Sequence, residues 1–221
     1  MTRERKKNDR RSRIIEAAEA LIRETGAIEF TMNALAERAG FSTPTTYNLI
    51  GSKATVLYIL LNRYQDRLDE AVDLRSSSDD PFEEVIRASD IAVSIYSEEA
   101  IFLRPLMRFL LGIPDVVHRP AFMARGYRYW LRALEGLTEK GYLEGDVGID
   151  EFARDMLIYF SGLIDFWVHG ELNEEQFRLQ ARVGVIMRLM AVADRPKKKK
   201  LGRYLRNLRL ELLPLFADSP E

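Results

Sequence analysis

Apolar residues recur along this chain every three or four residues, which is the spacing that places them on one face of an α-helix. The first such stripe consists of Ile14, Ala17, Ala18, Leu21 and Ile22. Alternating apolar and polar runs bounded by turn residues, which would predict β-strands, are absent from the sequence. The sequence therefore predicts an all-α fold.

Glycine, proline and hydroxyl residues divide this helical pattern. Gly26 is expected to end the first helix, and Thr31 can cap a short second one. Ser42 can cap a third helix, which carries Pro44 in its first turn and is broken at Gly51. A fourth helix carries on one side Leu57, Leu60, Leu61, Tyr64 and Leu68. After a polar break at 76–81, further helices are predicted at 81–97, 98–111, 120–140, 149–169, 173–193 and 201–216.

The composition limits the classes of protein to which the chain can belong. Hydrophobic residues make up 47% of its 221 residues, which is enough for a sizeable core. There is no cysteine, which excludes disulfides, zinc fingers and thiol catalysis. No apolar run reaches the roughly 18 residues that a membrane span needs. We therefore expect a cytoplasmic protein without a membrane partner.

Positive charge is concentrated in two places, although the net charge of the whole chain is −1. Seven arginines and lysines stand within the first 13 residues, and a second basic run covers 195–209. A basic segment beside a neutral body is typical of a protein that meets a polyanion with one end. A solvated tail is the alternative interpretation, and charge alone does not separate the two.

The stretch 35–53 carries the most specific functional signal. Two short helices meet there at a tight turn that contains Gly40, which is the pattern of a helix-turn-helix. The helix after Ser42 is too short to be stable alone, so neighbours must hold it, and its outer face is free to enter a major groove. The side chains of that face suit base edges and thymine methyl groups and are Thr43, Thr45, Tyr47 and Asn48.

From residue 13 to residue 57 the chain resembles the DNA-binding domain of the TetR (tetracycline-repressor-like) family. The matching positions are Ala17-Ala18, Gly26, Thr31, Leu35-Ala36, Ala39-Gly40-Phe41-Ser42, Thr45-Thr46-Tyr47 and Ser52-Lys53. The chain departs from the family pattern at Met32, Leu49 and Ile50. Leu49 cannot donate the hydrogen bond to phosphate that is common in the family, whereas Ile50 can still fill a core position.

This resemblance implies two domains. An N-terminal three-helix DNA-binding domain, with the helix-turn-helix and the basic arm, would cover 1–55, and a C-terminal helical effector-binding and dimerisation domain would cover 56–221. It also implies a homodimer that binds palindromic double-stranded operator DNA, usually as a repressor. A small, largely apolar ligand would release the protein by favouring a dimer that no longer matches the spacing of the half-sites.

The resemblance assigns roles to individual residues of the first domain. The candidates for groove contacts are Asn33, Thr43, Pro44, Thr45, Tyr47 and Asn48, and those for phosphate contacts are Thr31, Tyr47 and Lys53. Arg10, Arg11 and Arg13 can follow an adjacent minor groove or neutralise phosphates. Other interpretations stay open: Thr31 and Ser42 can act only as helix caps, Tyr47 can be a packing residue, and the arm can be disordered.

Two C-terminal helices predict a second copy of the chain. The helices at 149–169 and 173–193 are apolar around nearly their whole circumference, so each must be buried on all sides. One domain has little interior to hide both, whereas a four-helix interface between two copies would bury them. Ser161, Gly162 and Gly184 would let the backbones approach closely. A single thick core is the alternative.

A ligand pocket is expected from the resemblance alone. Asp165, His118 or Arg128 can anchor a polar group of the ligand. The side chains that can line the pocket are Tyr96, Phe102, Met107, Phe109, Phe122, Met123, Tyr127, Trp130, Phe160 and Trp167. Methionine and aromatic residues at helical spacing are equally typical of plain core.

Two other classes of protein have weaker support. An enzyme is not expected, because neither His118 nor His169 belongs to a metal-binding pattern and no Gly-rich phosphate loop or nucleophile elbow occurs. No metal or cofactor is predicted, and Asp165 with His169, one turn apart, is interpreted as a surface pair. The alternative function is a membrane-surface or protein-partner module that uses the basic amphipathic helix of 195–209. Packing of that helix on its own domain is the preferred interpretation.

Overall fold

A computed structural model describes residues 3–73, 79–143 and 147–217. These residues form ten α-helices and no strand, which confirms the predicted all-α fold. Residues 76–78 of the predicted break lie outside the described residues. In chain order the helices are α1 (Arg3–Thr25), α2 (Met32–Ala39), α3 (Thr43–Ile50), α4 (Lys53–Asp73), α5 (Pro81–Glu98), α6 (Ala100–Gly112), α7 (Arg119–Glu139), α8 (Ile149–Val168), α9 (Glu174–Val192) and α10 (Arg195–Ala217).

The two basic segments are both helical. The arm continues α1 toward the N-terminus as far as Arg3. α10 begins at Arg195, because the Asp194 carboxylate accepts the backbone N–H of Lys197 at 2.9 Å and Pro196 stands in the first turn. The prediction that this helix starts at residue 201 is therefore wrong. Lysines are good helix formers and extend the helix back to that cap.

The chain forms two compact units, and the first contains the residues up to Asp66 together with Glu99–Phe122. In this unit α1 packs on α2 and α3 and contacts α6. The stripe predicted for α1 provides the centre of the packing, since Ile14, Ala18 and Ile22 are completely buried. α2 and α3 have eight residues each and depend on these contacts, because helices of that length are marginal alone.

The second unit contains Arg67–Glu98 and the chain from Met123 onward. α5, α8 and α10 each pack against α9. The core includes Phe82 of α5, Trp167 of α8 and Phe177 of α9, all completely or almost completely buried. The Trp167 and Phe177 rings stack with their centres 5.1 Å apart. These two units are defined by compactness. The domains 1–55 and 56–221 that the resemblance implies are defined by function, so their boundary at residue 55 is different.

The packing of α8 on α9 depends on Gly184. The Tyr159 hydroxyl lies over this glycine, so that an added methyl group would stand 2.0 Å from the hydroxyl oxygen. The hydroxyl donates a hydrogen bond to the Gln180 carbonyl (2.6 Å), and the Arg188 guanidinium lies 3.9 Å from the centre of the tyrosine ring. Arg188 also pairs with Asp155 at 2.6 Å. Gly184 therefore makes room for a tyrosine side chain of the same chain.

Gly184→Ala is expected to lower the free energy of unfolding by about 1–3 kcal/mol, because Tyr159 must move and lose its hydrogen bond to Gln180. Urea unfolding followed by circular dichroism gives this quantity. Gly112→Ala, also in a helix, is the matched control, since no atom stands within 4 Å of its added methyl group. Equal stability of Gly184→Ala and the wild type would contradict the described packing.

α10 packs on its own unit through apolar contacts and ion pairs. The Lys197 ammonium lies 2.6 Å from the Asp80 carboxylate, and that of Lys200 lies 2.7 Å from Glu83. Partial burial disfavours the charged form of Asp80, but hydrogen bonds from Lys197 and from a backbone N–H outweigh it and lower the pKa of the carboxyl. This confirms the preferred interpretation of the basic helix. The buried apolar side chains of α10 are Leu201, Leu208 and Leu212.

Candidate nucleic-acid interface

The turn between α2 and α3 is fixed by a cap at each helix end. Gly40 follows α2 in the left-handed conformation (φ 73°), and its N–H bonds to the Glu37 carbonyl at 3.1 Å. The Ser42 hydroxyl caps α3 by accepting the N–H of Thr45 at 3.4 Å. The tight turn predicted at Gly40 and the cap predicted at Ser42 are both confirmed.

α3 has one buried face and one exposed face. Thr46 and Ile50 are buried in the first unit, so Ile50 fills the core position that the sequence predicts. On the other side Pro44, Tyr47 and Asn48 are exposed, and Tyr47 keeps 49% of its surface. These three residues are termed the groove face. Their exposure, on a helix held from behind, is what entry into a major groove requires.

The polar side chains next to the groove face are held by contacts within the chain. The Thr43 hydroxyl donates to the amide oxygen of Asn33 on α2 at 3.0 Å. The hydroxyls of Ser42 and Thr45 lie 2.8 Å apart and share a hydrogen bond. The structure thus brings together the predicted groove residues of α2 and α3 at one end of the helix-turn-helix.

Arg11 and Arg13 of α1 brace the helix-turn-helix. The Arg11 Nε donates to the Leu49 carbonyl at 2.7 Å, and Arg13 donates to the Ala39 carbonyl at 2.9 Å. The Arg13 guanidinium also lies 4.8 Å from the centre of the Phe41 ring. The sequence prediction placed these arginines on DNA or in a disordered arm and missed their contacts with the helix-turn-helix. No local pattern reveals it, because the partners lie 38 and 26 residues away along the chain.

The remaining phosphate candidates stand at helix starts or on open surface. Thr31 caps α2 by accepting a backbone N–H of that helix at 3.1 Å, so its structural role is confirmed. Lys53 begins α4, its ammonium lies 4.8 Å from the centre of the Phe30 ring, and partial burial lowers its pKa. Arg10 is exposed on α1. Contact of these three residues with phosphate stays a prediction.

The residues predicted to line a ligand pocket are divided between the two units. In the first unit the ring centre of Tyr58 lies 5.5 Å from that of Phe109 and 6.4 Å from that of Phe122. Phe102 and Met107 are also buried there. These contacts bring a small aromatic cluster together on α4, α6 and the start of α7.

In the second unit the predicted ligand residues form two aromatic pairs. The ring centres of Tyr96 and Trp167 are 6.2 Å apart, and those of Trp130 and Phe160 are 4.5 Å apart. All four side chains are buried, and burial raises the pKa of Tyr96 to about 12. Of the other predicted residues of this unit, Arg128 is exposed, and the partly buried ones are Met123, Tyr127 and Asp165.

A groove on the surface of the second unit is lined by other residues. This groove has a volume of about 610 Å³ and is bordered by α8, the start of α9 and the end of α10. None of the residues predicted for the ligand pocket borders it. Plain core packing accounts for the contacts of the buried aromatic residues, and their binding to a ligand stays a prediction.

A set of apolar side chains remains exposed on α8 and α9. Ile158, Phe166 and Met187 keep 65%, 52% and 58% of their surfaces exposed. Gly162 lies between Ile158 and Phe166 on α8, and no atom of the chain stands within 4 Å of a methyl group added to it. These four residues are termed the α8–α9 surface. A single thick core, the alternative to dimerisation, would have buried them.

The described residues carry no feature of a metal site or of a membrane span. In these ranges no three histidine, aspartate or glutamate side chains are grouped so that they can hold a metal ion. The predicted pair of Asp165 and His169 is observed, with 3.5 Å between carboxylate and ring nitrogen. No helix in the described part of the chain has both the length and the apolar character needed to cross a membrane.

The N-terminal part of the chain matches a known family. Residues 14–57 match the sequence model of the bacterial regulatory proteins of the tetR family. The matched segment runs from the middle of α1 into α4 and includes the helix-turn-helix. No curated protein matches the chain.

Solved structures extend the likeness over most of the chain. A TetR-family regulator from Syntrophomonas wolfei is 16% identical with a TM-score of 0.68, covering 85% of this chain and 97% of its own. SmeT, the repressor of the multidrug efflux pump SmeDEF of Stenotrophomonas maltophilia, is 21% identical with a TM-score of 0.62, covering 80% and 88%. FadR of Thermus thermophilus, a repressor in complex with lauroyl-CoA, is 21% identical with a TM-score of 0.62, covering 80% and 93%. These identities show a shared fold. The sequence likeness to the tetR-family regulators therefore covers residues 14–57, and the chain as a whole shares a fold with solved TetR-family regulators.

Proposed function

We propose that this chain is a transcriptional regulator that binds a palindromic double-stranded operator as a homodimer. The observation that carries the proposal is the groove face, which stays exposed while the rest of α3 is capped, braced and buried. Asn48 can hydrogen-bond to base edges in the major groove. Tyr47 can contact a thymine methyl group with its ring or a phosphate with its hydroxyl.

In this proposal residues 1–55 bind DNA, and residues 56–221 dimerise and bind an effector. The exposed α8–α9 surface supports dimerisation, since a monomer gains nothing from leaving large apolar side chains in water. A twofold dimer presents two groove faces, which suits the two half-sites of a palindrome.

A repressor function that a small, largely apolar ligand relieves is part of the proposal. It is supported by two proteins of the same fold, because SmeT is a repressor and FadR is a repressor solved with lauroyl-CoA. The buried aromatic pairs of the second unit would give such a ligand apolar contacts. The ligand would shift the dimer away from the spacing of the half-sites, with a coupling of about 1–3 kcal/mol.

The role is proposed to be non-catalytic and cytoplasmic. The matched family consists of bacterial regulatory proteins, and a regulator of this kind acts where the DNA is. The alternative of a membrane-surface module has less support. Leu201, Leu208 and Leu212 of α10, which such a module would insert into lipid, pack on its own unit instead.

Selection from a pool of random DNA duplexes tests the proposed function. The full chain is expected to enrich one palindromic sequence at moderate salt, because two identical reading heads favour related half-sites. Repeating the selection with added acyl-CoA probes relief of repression. Recovery of the same unenriched pool after several rounds would contradict DNA recognition.

A further inference from the structure

The last two turns of α10 expose three large apolar side chains. Leu210, Leu213 and Phe216 keep 72%, 59% and 42% of their surfaces exposed. They follow one another at intervals of three residues and so occupy a sector of about 120° on the helix. This sector is distinct from the stripe of buried leucines with which α10 packs inward. α10 therefore has a second apolar side that its own unit does not cover.

This second side is continuous with the α8–α9 surface. Phe216 borders the groove of about 610 Å³, and Ile158, Gly162 and Phe166 of α8 border the same groove. The position of the last turn is fixed, because the Gln176 side chain at the start of α9 donates to the Leu215 carbonyl at 2.7 Å. The end of α10 and the exposed apolar side chains of α8 thus border one groove, which Glu171 and Gln180 also line.

We propose that the end of α10, through Leu213 and Phe216, is part of the surface that the second copy of this chain covers. The proposal rests on the proposed homodimer and widens its interface from four helices to six. In a twofold interface each copy offers the same patch to the other, so a groove in one copy meets projecting apolar side chains of its partner. The occupant of the groove is therefore a second copy.

Two properties of the surface suit a second copy. Gly162 leaves open space at the floor of the groove, so a partner side chain can approach the α8 backbone there. The exposed side chains at the end of α10 are large and apolar, and between residues 210 and 216 the only charged residue is Glu211. By helical geometry Glu211 lies outside the apolar sector, whereas Arg206 and Arg209 precede the sector on the same side of α10 and are exposed, so they border the proposed contact.

The test compares full-length chains by sedimentation equilibrium, first the wild type, Phe166→Glu, the double variant Leu213→Glu/Phe216→Glu, and Asn207→Glu. The last variant is the control for charge, because it adds one glutamate at an exposed position of the same helix, outside the apolar sector. The double variant is expected to raise the dissociation constant of the dimer at least about tenfold, since two apolar contacts per copy are lost. Asn207→Glu is expected to leave it unchanged. Circular dichroism melting confirms that each variant is folded.

The outcomes separate this inference from the proposed function. Dissociation of Phe166→Glu together with a double variant that dimerises like the wild type would overturn the role of α10 and leave the homodimer intact. A monomeric wild type would overturn the homodimer itself. Leu213→Ile/Phe216→Leu, which keeps the apolar character, is expected to dimerise like the wild type. Weakening of the dimer by this conservative variant as strongly as by the glutamates would also count against the proposed contact.

Discussion

Tyr47→Ala is expected to weaken binding to the selected operator about 5- to 150-fold, the range for loss of one good base contact. The side chain stands at the centre of the groove face and keeps 49% of its surface exposed in the free protein. Its removal therefore takes away a contact with DNA without opening a hole in the core. Fluorescence anisotropy with a labelled operator measures the dissociation constant.

The matched control for this variant is Tyr204→Ala. Tyr204 is also a partly exposed tyrosine, with 36% of its surface accessible, but it lies on α10 in the other unit. We expect its removal to leave operator affinity unchanged. Equal affinities of Tyr47→Ala and the wild type, with both proteins folded, would remove Tyr47 from the residues that contact DNA.

Phe166→Glu is expected to convert the dimer to a monomer at micromolar concentration. Full burial of an exposed phenylalanine contributes about 1.5–3 kcal/mol, and Phe166 has 52% of its surface left to bury. Twofold symmetry removes two such contacts per dimer, about 1.5–3 kcal/mol together, which corresponds to a rise in the dissociation constant of about 10- to 150-fold. The introduced carboxylates add to the effect, because burying an unpaired charge is unfavourable. The affinity for the operator should fall as the dimer dissociates, because a monomer contacts only one half-site. Sedimentation equilibrium measures the dissociation.

Ile101→Glu serves as the control for this second prediction. Ile101 is an exposed apolar residue like those of the α8–α9 surface, with 72% of its surface accessible, but it lies on α6 in the first unit. The same apolar-to-acidic change there should leave the dimer intact. A stable Phe166→Glu dimer at high dilution would mean that the α8–α9 surface is not the interface.

The helix-turn-helix could be predicted from the sequence because its determinants are local. Ser42 caps the helix that follows it within three residues, and Gly40 provides the left-handed turn next to it. The start of α10 was missed, although Asp194 followed by Pro196 is a local signal of the same kind. The predicted start at residue 201 left the lysine run outside the helix.

Features that depend on distant contacts could not be predicted. Arg13 holds a carbonyl 26 residues away, and nothing near it in the sequence indicates that partner. Gly184 was predicted to let backbones approach closely in an interface between two copies, whereas the structure places the Tyr159 side chain of the same chain over it. For the ligand residues, periodicity places an aromatic ring inside the fold without saying whether it faces a neighbour or a cavity.

Photo-crosslinking from the groove face tests the central claim most directly. A benzophenone amino acid placed at Asn48, with the same group placed at Tyr204 as the control, is irradiated on the selected operator. The predicted result is a crosslink from position 48 to bases within each half-site and none from position 204. Protein that is bound to the operator but crosslinks from neither position, or from position 204 alone, would contradict recognition of the major groove by α3.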